Sequence, residues 1–125
     1  MPIGVERLKK RADFLRVASV RRKWATPGLV LQAACDTAEQ NSSRVRVGFT
    51  VTKKVGNSVI RNRVKRRLRA VAQDLVPGNA MAGWDYVLIG RHTTINRDFK
   101  DLQTDLRTAL RKVASTQNKN NRGHL

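Results

Sequence analysis

The stretch that decides the fold is residues 44–69, which read RVRVGFTVTKKVGNSVIRNRVKRRLR. Its first nine residues alternate between apolar and polar or small side chains, the period-two pattern of a half-buried strand. We expect one side of this strand to face a core: Val45, Val47, Phe49 and Val51. The other side would be small and polar, leaving room for a ligand: Arg46, Gly48, Thr50 and Thr52.

The second half of the stretch predicts an amphipathic helix. Asn57 is a favoured N-cap residue, and Pro77-Gly78 predicts that the helix ends at about Leu75. Helical spacing forms one apolar stripe: Ile60, Val64, Leu68, Val71 and Leu75. The opposite face is mostly basic, with two more arginines flanking the stripe: Asn62, Lys65, Arg66, Arg69 and Gln73, then Arg61 and Arg67. The first N–H groups of such a helix lack partners, so the junction after Lys53-Lys54 favours phosphate.

The charge of this region is one-sided. Between Glu39 and Asp74 the chain carries ten Lys or Arg residues and no carboxylate. The whole chain has 26 basic and 9 acidic residues, a net charge of +17, yet its 40% hydrophobic content predicts a folded domain. Such a field repels itself unless a polyanion lies against it, which predicts a nucleic-acid-binding surface.

The remaining chain supplies further elements. Residues 5–18 are predicted to form a helix with one stripe of Val5, Leu8, Ala12 and Leu15. Phe14 points away from that stripe, on a side shared with Arg7, Lys10 and Val17, as either a second packing contact or a platform for stacking a base. Strands are predicted at 21–26, 29–35 and 84–91, with a polar loop from Asp36 to Ser43. Asn96 is predicted to cap a last helix that buries Phe99, Leu102, Leu106, Leu110 and Val113.

The order helix, two or three strands, helix, strand, helix predicts an α+β fold, built as a two-layer sandwich with helices over one face of about four strands. We expect a single RNA-binding domain over residues 1–114 and a disordered polar tail over 115–125. The lone cysteine, Cys35, is expected to be a buried small hydrophobe. No apolar run is long enough to span a bilayer and the N-terminus lacks a signal-peptide core, so we expect a cytoplasmic protein.

Other functions fit the basic helix less well. In a membrane-surface or calmodulin-target helix the apolar stripe is available to the membrane or the partner. Here the domain core needs that stripe. A DNA-reading helix offers mixed polar side chains to base edges, whereas this one is dominated by phosphate-seeking cations. An independent enzyme lacks acid–base partners, because His92 has no second histidine near it in the sequence and the carboxylates show no metal-cluster spacing. A solvated face without a partner leaves the missing carboxylates unexplained.

Residues 44–69 also resemble the signature of the protein-subunit family of bacterial ribonuclease P. The resemblance lies in the string from Lys53 to Arg66, Lys-Lys-x-Gly-Asn-x-x-x-Arg-Asn-Arg-x-Lys-Arg, and in residues 7–14, Arg-Leu-Lys-Lys-Arg-Ala-Asp-Phe. It implies an α-β-β-β-α-β-α fold similar to the second domain of ribosomal protein S5, including a left-handed crossover. It also implies a protein subunit, without catalytic residues or a metal site of its own, that aids a catalytic RNA in cleaving precursor tRNA to the mature 5′ end.

The resemblance further implies two sets of binding residues. The catalytic RNA subunit would meet Arg61, Asn62, Arg63, Lys65, Arg66 and Arg69. The 5′ leader of precursor tRNA would lie along Phe14, Gln32, Thr50, Lys53, Lys54, Asn57 and Ser58. Ala18 and Gln32 stand where relatives can carry aromatics, so we expect phosphate contact to replace some stacking.

The same resemblance implies the composition of the holoenzyme. It would contain one protein per RNA subunit and need Mg²⁺, with no cofactor bound by the protein alone. The alternative is a ribosomal or RNA-chaperone protein that binds RNA without supporting cleavage.

Overall fold

The computed structural model describes residues 5–35 and 44–123. The predicted loop from Asp36 to Ser43 lies outside these residues. Five strands form one sheet, in the order β1-β4-β5-β3-β2. The strands are β1 Val5–Arg7, β2 Lys23–Ala25, β3 Leu29–Cys35, β4 Val45–Thr50 and β5 Trp84–Gly90. The helices are α1 Arg11–Val20, α2 Ser58–Asn79 and α3 Phe99–Gly123, with short 3₁₀ turns at Lys53–Val55 and His92–Ile95. The α+β class is confirmed, with one strand more than predicted.

The connection from β4 through α2 to β5 is left-handed. It joins two adjacent parallel strands. Val47 in β4 faces the α2 side of the sheet, and its carbonyl accepts a hydrogen bond from the Leu8 N–H beside β1, at 3.0 Å. In a strand of L-residues that runs upward, a residue whose side chain points at the observer has its carbonyl on the right. From the α2 side, β1 therefore lies right of β4 and β5 lies left. This confirms the hand implied by the resemblance, against the usual right-handed rule.

Helices cover both faces of the sheet, and this corrects the predicted two-layer arrangement. The main core lies between the sheet and the α2 and α3 helices, where Leu31, Tyr86 and Leu88 are fully buried. A smaller cluster on the opposite face joins Val17 of α1 to Val87 of β5. Successive strand residues alternate between faces, so α1 is a partial third layer.

The N-terminal helix begins later than predicted. Residues 5–7 form β1, which pairs in parallel with Val45–Val47, and helix α1 starts only at Arg11. This shift changes the buried face, because Phe14 and Val17 point to the sheet while Leu15 is 57% exposed. Of the predicted stripe only Leu8 is buried, whereas Val5, Ala12 and Leu15 are exposed. Pairing with a strand 40 residues away overrode the local helical pattern.

The ends of the other two helices also differ from prediction. Helix α2 passes through Pro77 to Asn79, and the Asn79 side chain donates to the Leu75 carbonyl at 2.8 Å, satisfying a group of the last turn. Asp98, not Asn96, caps α3, because its carboxylate accepts the Lys100 N–H at 3.1 Å. No proline or glycine interrupts the chain between Val113 and Gly123. The helix continues to Gly123, whereas the domain boundary at residue 114 and the disordered tail after it stay predictions.

The only cysteine is not buried. Cys35 ends β3 and is exposed. The apolar run of β3 predicted burial, but Cys35 is the last residue of that strand. The prediction for Cys35 is therefore wrong.

Candidate RNA-binding surfaces

Helix α2 forms as its sequence predicts. The Asn57 side chain accepts the Ile60 N–H at 3.0 Å, which confirms the N-cap. The apolar stripe is buried from Val64 to Leu75, and Ile60 packs against the same core. Burial of this stripe fixes the rotation of the helix and turns its basic face outward. Among the six residues predicted for the RNA subunit, four are exposed and two half-buried: Asn62, Arg63, Arg66 and Arg69, then Arg61 and Lys65.

Four carboxylates of the described residues, Glu6, Asp13, Asp85 and Asp105, form ion pairs away from the basic face of α2. Glu6 pairs with Arg44 at 3.4 Å, and Asp105 pairs with Arg97 at 3.0 Å. The hydrogen bond to Asp105 raises the pKa of the Arg97 guanidinium further above its ordinary value. Within residues 5–35 and 44–115, no carboxylate reaches ion-pair distance of the five predicted α2 cations: Arg61, Arg63, Lys65, Arg66 and Arg69. The outer face of α2 is therefore an unneutralised positive field.

Three grooves open beside α2 and divide its cations. Arg63 and Arg66 line a groove against Phe99 at the start of α3. Arg69 lines a second groove beside β1. Lys65 lies in a third groove, together with Phe14 and Thr50. Lys65 was predicted to bind the RNA subunit, but it also lies beside Phe14 and Thr50, which were predicted to bind the leader.

The groove between α1 and β4 holds the aromatic residue of the predicted leader set. It has a volume of about 440 Å³, with the apolar side chains of Phe14, Leu15 and Phe49 and a basic border of Lys9, Arg11 and Lys65. A Cβ on Gly48 would lie 2.5 Å from the Phe14 ring, so only glycine lets the ring lie this close to β4. Phe14 is half-buried. It is thus a packing contact that still lines an open groove, and both interpretations of it remain compatible with its position.

Other predicted leader residues lie along the same face or at its end. Gln32 pairs with Val87, which also pairs with Gly48, so Gln32 is two strands, about 10 Å, from the Phe14 site. Lys54 lies in a neighbouring groove with Arg91 and His92, at the carboxyl ends of β4 and β5. Lys53, Asn57 and Ser58 are exposed at the entry to α2. The Asn57 oxygen is already used by the helix cap.

A buried carboxylate that the sequence analysis missed holds α1 on the sheet. Asp85 is 1% exposed and accepts two hydrogen bonds from Arg46, at 2.8 and 2.7 Å. It also pairs with Arg16 of α1, and Arg46 lies 3.7 Å from Asp13 of the same helix. The signal was present, because an aspartate within an otherwise apolar strand requires a cationic partner.

The described residues contain no group of three or more His, Cys, Asp or Glu side chains placed to hold a metal ion. Among the helices described, none combines the length and hydropathy needed to cross a membrane.

Comparison with known proteins identifies the family. The sequence model of the family described as Ribonuclease P matches residues 4–114. The chain belongs to the ribonuclease P protein family. The Ribonuclease P protein component of Paramagnetospirillum magneticum is 54% identical over 118 residues, covering 94% of this chain and 89% of that relative. That of Gluconacetobacter diazotrophicus is 54% identical over 107 residues, covering 86% and 90%.

Solved ribonuclease P proteins have the same fold. The Staphylococcus aureus RNase P protein is 30% identical with a TM-score of 0.67, covering 84% of this chain and 92% of that one. The protein from Thermotoga maritima is 26% identical with a TM-score of 0.66, covering 81% and 91%. This chain is therefore a protein component of ribonuclease P, an endoribonuclease subunit that acts in maturation of the tRNA 5′ end. The resemblance seen in the sequence is confirmed.

Proposed function

We propose that the two surfaces divide the work of the ribonuclease P protein. The outer face of α2 binds the catalytic RNA, and the groove between α1 and the sheet binds the 5′ leader of precursor tRNA. The observation that carries this proposal is the set of five α2 cations that have no carboxylate partner among the described residues. A positively charged surface without paired carboxylates attracts a polyanion such as RNA.

The RNA-subunit surface is suited to the backbone of a folded RNA. Four of its five cations are arginines, whose planar forks bind phosphate oxygens in pairs. The helix is held rigid by its buried stripe, so the guanidinium groups lie on a fixed frame along about 12 Å from Arg61 to Arg69. A rigid frame of cations recognises RNA by shape, as proteins generally do with structured RNA. The proposed residues are Arg61, Asn62, Arg63, Lys65, Arg66 and Arg69.

The leader surface combines a few apolar contacts with a basic border. Phe14 offers part of one ring and Leu15 is more than half exposed, which gives an unpaired base a surface to stack on. Ala18 is exposed and supplies no second ring, so the cations beside the groove carry more of the binding. This predicts a steep dependence of leader affinity on salt. The proposed residues are Phe14, Gln32, Thr50, Lys53, Lys54, Asn57 and Ser58.

The holoenzyme in this proposal contains one protein and one RNA subunit in the cytoplasm. Mg²⁺ serves the RNA, where cleavage takes place, and the protein binds no cofactor alone. The protein's task is to position RNA and substrate, since its cations offset charge that Mg²⁺ would otherwise have to screen.

Reconstitution tests this proposal directly. The purified chain is added to a bacterial ribonuclease P RNA at a low Mg²⁺ concentration, and release of the leader from precursor tRNA is followed. We expect the chain to restore cleavage, and a variant lacking Arg61 and Arg63 to restore much less at the same protein concentration. An RNA-binding protein that does not support cleavage would leave the rate unchanged. Cleavage without any RNA subunit would contradict the assignment of chemistry to the RNA.

A further inference from the structure

A groove beside the edge strand β1 is not used by either proposed surface as a binding pocket. It has a volume of about 420 Å³, within the range of pockets that hold small ligands. Val47 and Phe49 of β4 form one wall and Ala72 of α2 forms the other, all on the α2 face of the sheet. The pocket is therefore an apolar slot between a sheet edge and a helix.

Two arginines stand at the opening of this slot. The Arg7 guanidinium carbon lies over the Phe49 ring, 5.9 Å from its centre, within range of a cation–π contact. Arg69 reaches the slot from α2. Within the described residues neither arginine has a carboxylate in ion-pair distance. Glu6 also lines the slot, but its carboxylate pairs with Arg44 at 3.4 Å, so the two arginines leave the opening with excess positive charge while the interior favours an apolar, flat group.

A nucleotide combines these two properties. Its base is planar and stacks on aromatic rings and guanidinium planes, and its phosphate pairs with arginine. The exposed Gln73 carboxamide also lines the slot, and it can both donate and accept a hydrogen bond at the edge of a base. A simple phosphate site would need neither the apolar walls nor the amide.

The position of the slot decides which RNA supplies the base. Arg69 and Gln73 continue the basic face of α2, one turn apart. The slot lies on the α2 face of the sheet, whereas Phe14 packs on Gly48 from the opposite face. Phe49 lines both the slot and the α1 groove, so the two cavities meet at the edge of the sheet, but the polar groups of the slot, Arg69 and Gln73, belong to α2 and favour the RNA subunit over the leader.

We infer that the slot between β1 and α2 binds one unpaired nucleobase extruded from the catalytic RNA. This inference rests on the proposed role of α2. The base would lie between the Phe49 wall and Ala72, with its phosphate at Arg69 and its edge at Gln73. Such a contact would fix the position of the RNA along α2, which phosphate contacts alone do not do.

Two experiments test the inference: photo-crosslinking on the reconstituted holoenzyme, and the substitution Gln73→Ala, which changes no charge. A benzophenone amino acid replaces Gln73 in the full chain, and a matched control carries it at Thr104, an exposed residue of α3. We expect Gln73 to crosslink predominantly to one single-stranded nucleotide of the RNA subunit, and Thr104 to give no such product. We also expect Gln73→Ala to weaken RNA-subunit binding roughly tenfold with an unchanged salt slope, because no charge is removed.

Both results are required. Crosslinks from Gln73 that match those from Thr104, that spread over helical RNA or that fall on the leader would overturn the inference, as would wild-type affinity for Gln73→Ala. The Arg61→Ala, Arg63→Ala double variant separates this failure from failure of the proposed function. If the double variant loses RNA binding while the Gln73 results are negative, only the slot assignment is wrong. If the double variant binds normally, the role of α2 itself is wrong.

Discussion

At the scale of single residues, Phe14 shows how one side chain can serve packing and binding together. Its departure from the apolar stripe was visible in the sequence, but the contact that explains it was not. The ring lies against Gly48, three elements later in the chain, and only the fold brings them together. The small residues on the outer side of β4 were predicted to leave room for a ligand, and part of that room is taken by this ring.

Phe14→Leu should separate the two roles. Leucine keeps an apolar side chain against Gly48 but loses the aromatic face, so precursor-tRNA affinity should fall by roughly 1–3 kcal/mol. RNA-subunit affinity should stay at the wild-type value. Both are measured by titration with the holoenzyme and with the RNA subunit alone. Equal losses in the two titrations would show that Phe14 acts through folding.

Tyr86 gives a prediction about stability at high pH. Burial raises the pKa of Tyr86 from 10 to about 12, although the hydrogen bond from the Met81 N–H at 2.9 Å acts in the opposite direction. The pKa of Tyr86 is higher in the folded chain than in the unfolded chain, so the protonated phenol stabilises the fold. Its contribution to the free energy of unfolding, roughly 2–3 kcal/mol, is fully present below pH 10 and is lost as pH rises to about 12. The chain has one tyrosine, so phenolate absorbance reports this group alone. If Tyr86 has the same pKa in the folded and the denatured chain, the burial argument is wrong.

At the scale of elements, α2 was predictable and α1 was not, for a physical reason. The cap, the apolar stripe and the basic face of α2 all follow from helical spacing within one segment. The start of α1 depends on β1, whose residues pair with β4 some 40 positions later. Local pattern cannot show such a pairing. It can show that Asp85, within an apolar strand, requires a cationic partner, but not which cations of the chain fill that role. The sequence therefore predicted which residues of α2 face outward. For the groove beneath α1 it predicted several of the lining residues but not how the fold arranges them.

The basic face of α2 should govern how RNA binding depends on salt. Arg61→Ala with Arg63→Ala removes one half-buried and one exposed cation of α2, so the slope of log affinity against log salt should become shallower by about one to two units. The matched control, Arg107→Ala with Arg111→Ala, removes the same charge from exposed positions on α3. It should change the slope much less. Equal effects of the two pairs would mean that net charge, and not the α2 face, attracts the RNA.

Removing Asp85 should release α1 from the sheet. Asp85→Ala leaves Arg16 and Arg46 without their buried partner, and we expect a loss of about 3 kcal/mol in the free energy of unfolding. Leader affinity should fall as well, because α1 forms one side of that groove. Asp74→Ala, at an exposed position of α2, serves as the control and should change stability little. Denaturant unfolding measures both, and an unfolding midpoint for Asp85→Ala equal to that of the control would refute the anchoring role.

At the scale of the whole molecule, the sheet separates two surfaces. Helix α2 packs on one face and turns its cations outward, and α1 lies on the other face beside the leader groove. The left-handed crossover places α2 next to β1, which creates the edge slot and leaves the opposite face open to α1. A sequence pattern carries no information on that hand. It was expected only through the family resemblance, and the hydrogen bond to Val47 establishes it here.

Directed cleavage from tethered iron tests the division between these two surfaces most directly. Cys35 is exposed, so it is first replaced by serine, and single cysteines are then placed at Asn62 on α2 and at Leu15 beside the groove. Iron-EDTA attached at position 62 should cut the catalytic RNA, and iron at position 15 should cut the leader of bound precursor tRNA. If both positions cut the same strand, or if position 62 leaves the catalytic RNA intact in an active holoenzyme, the two-surface account is wrong.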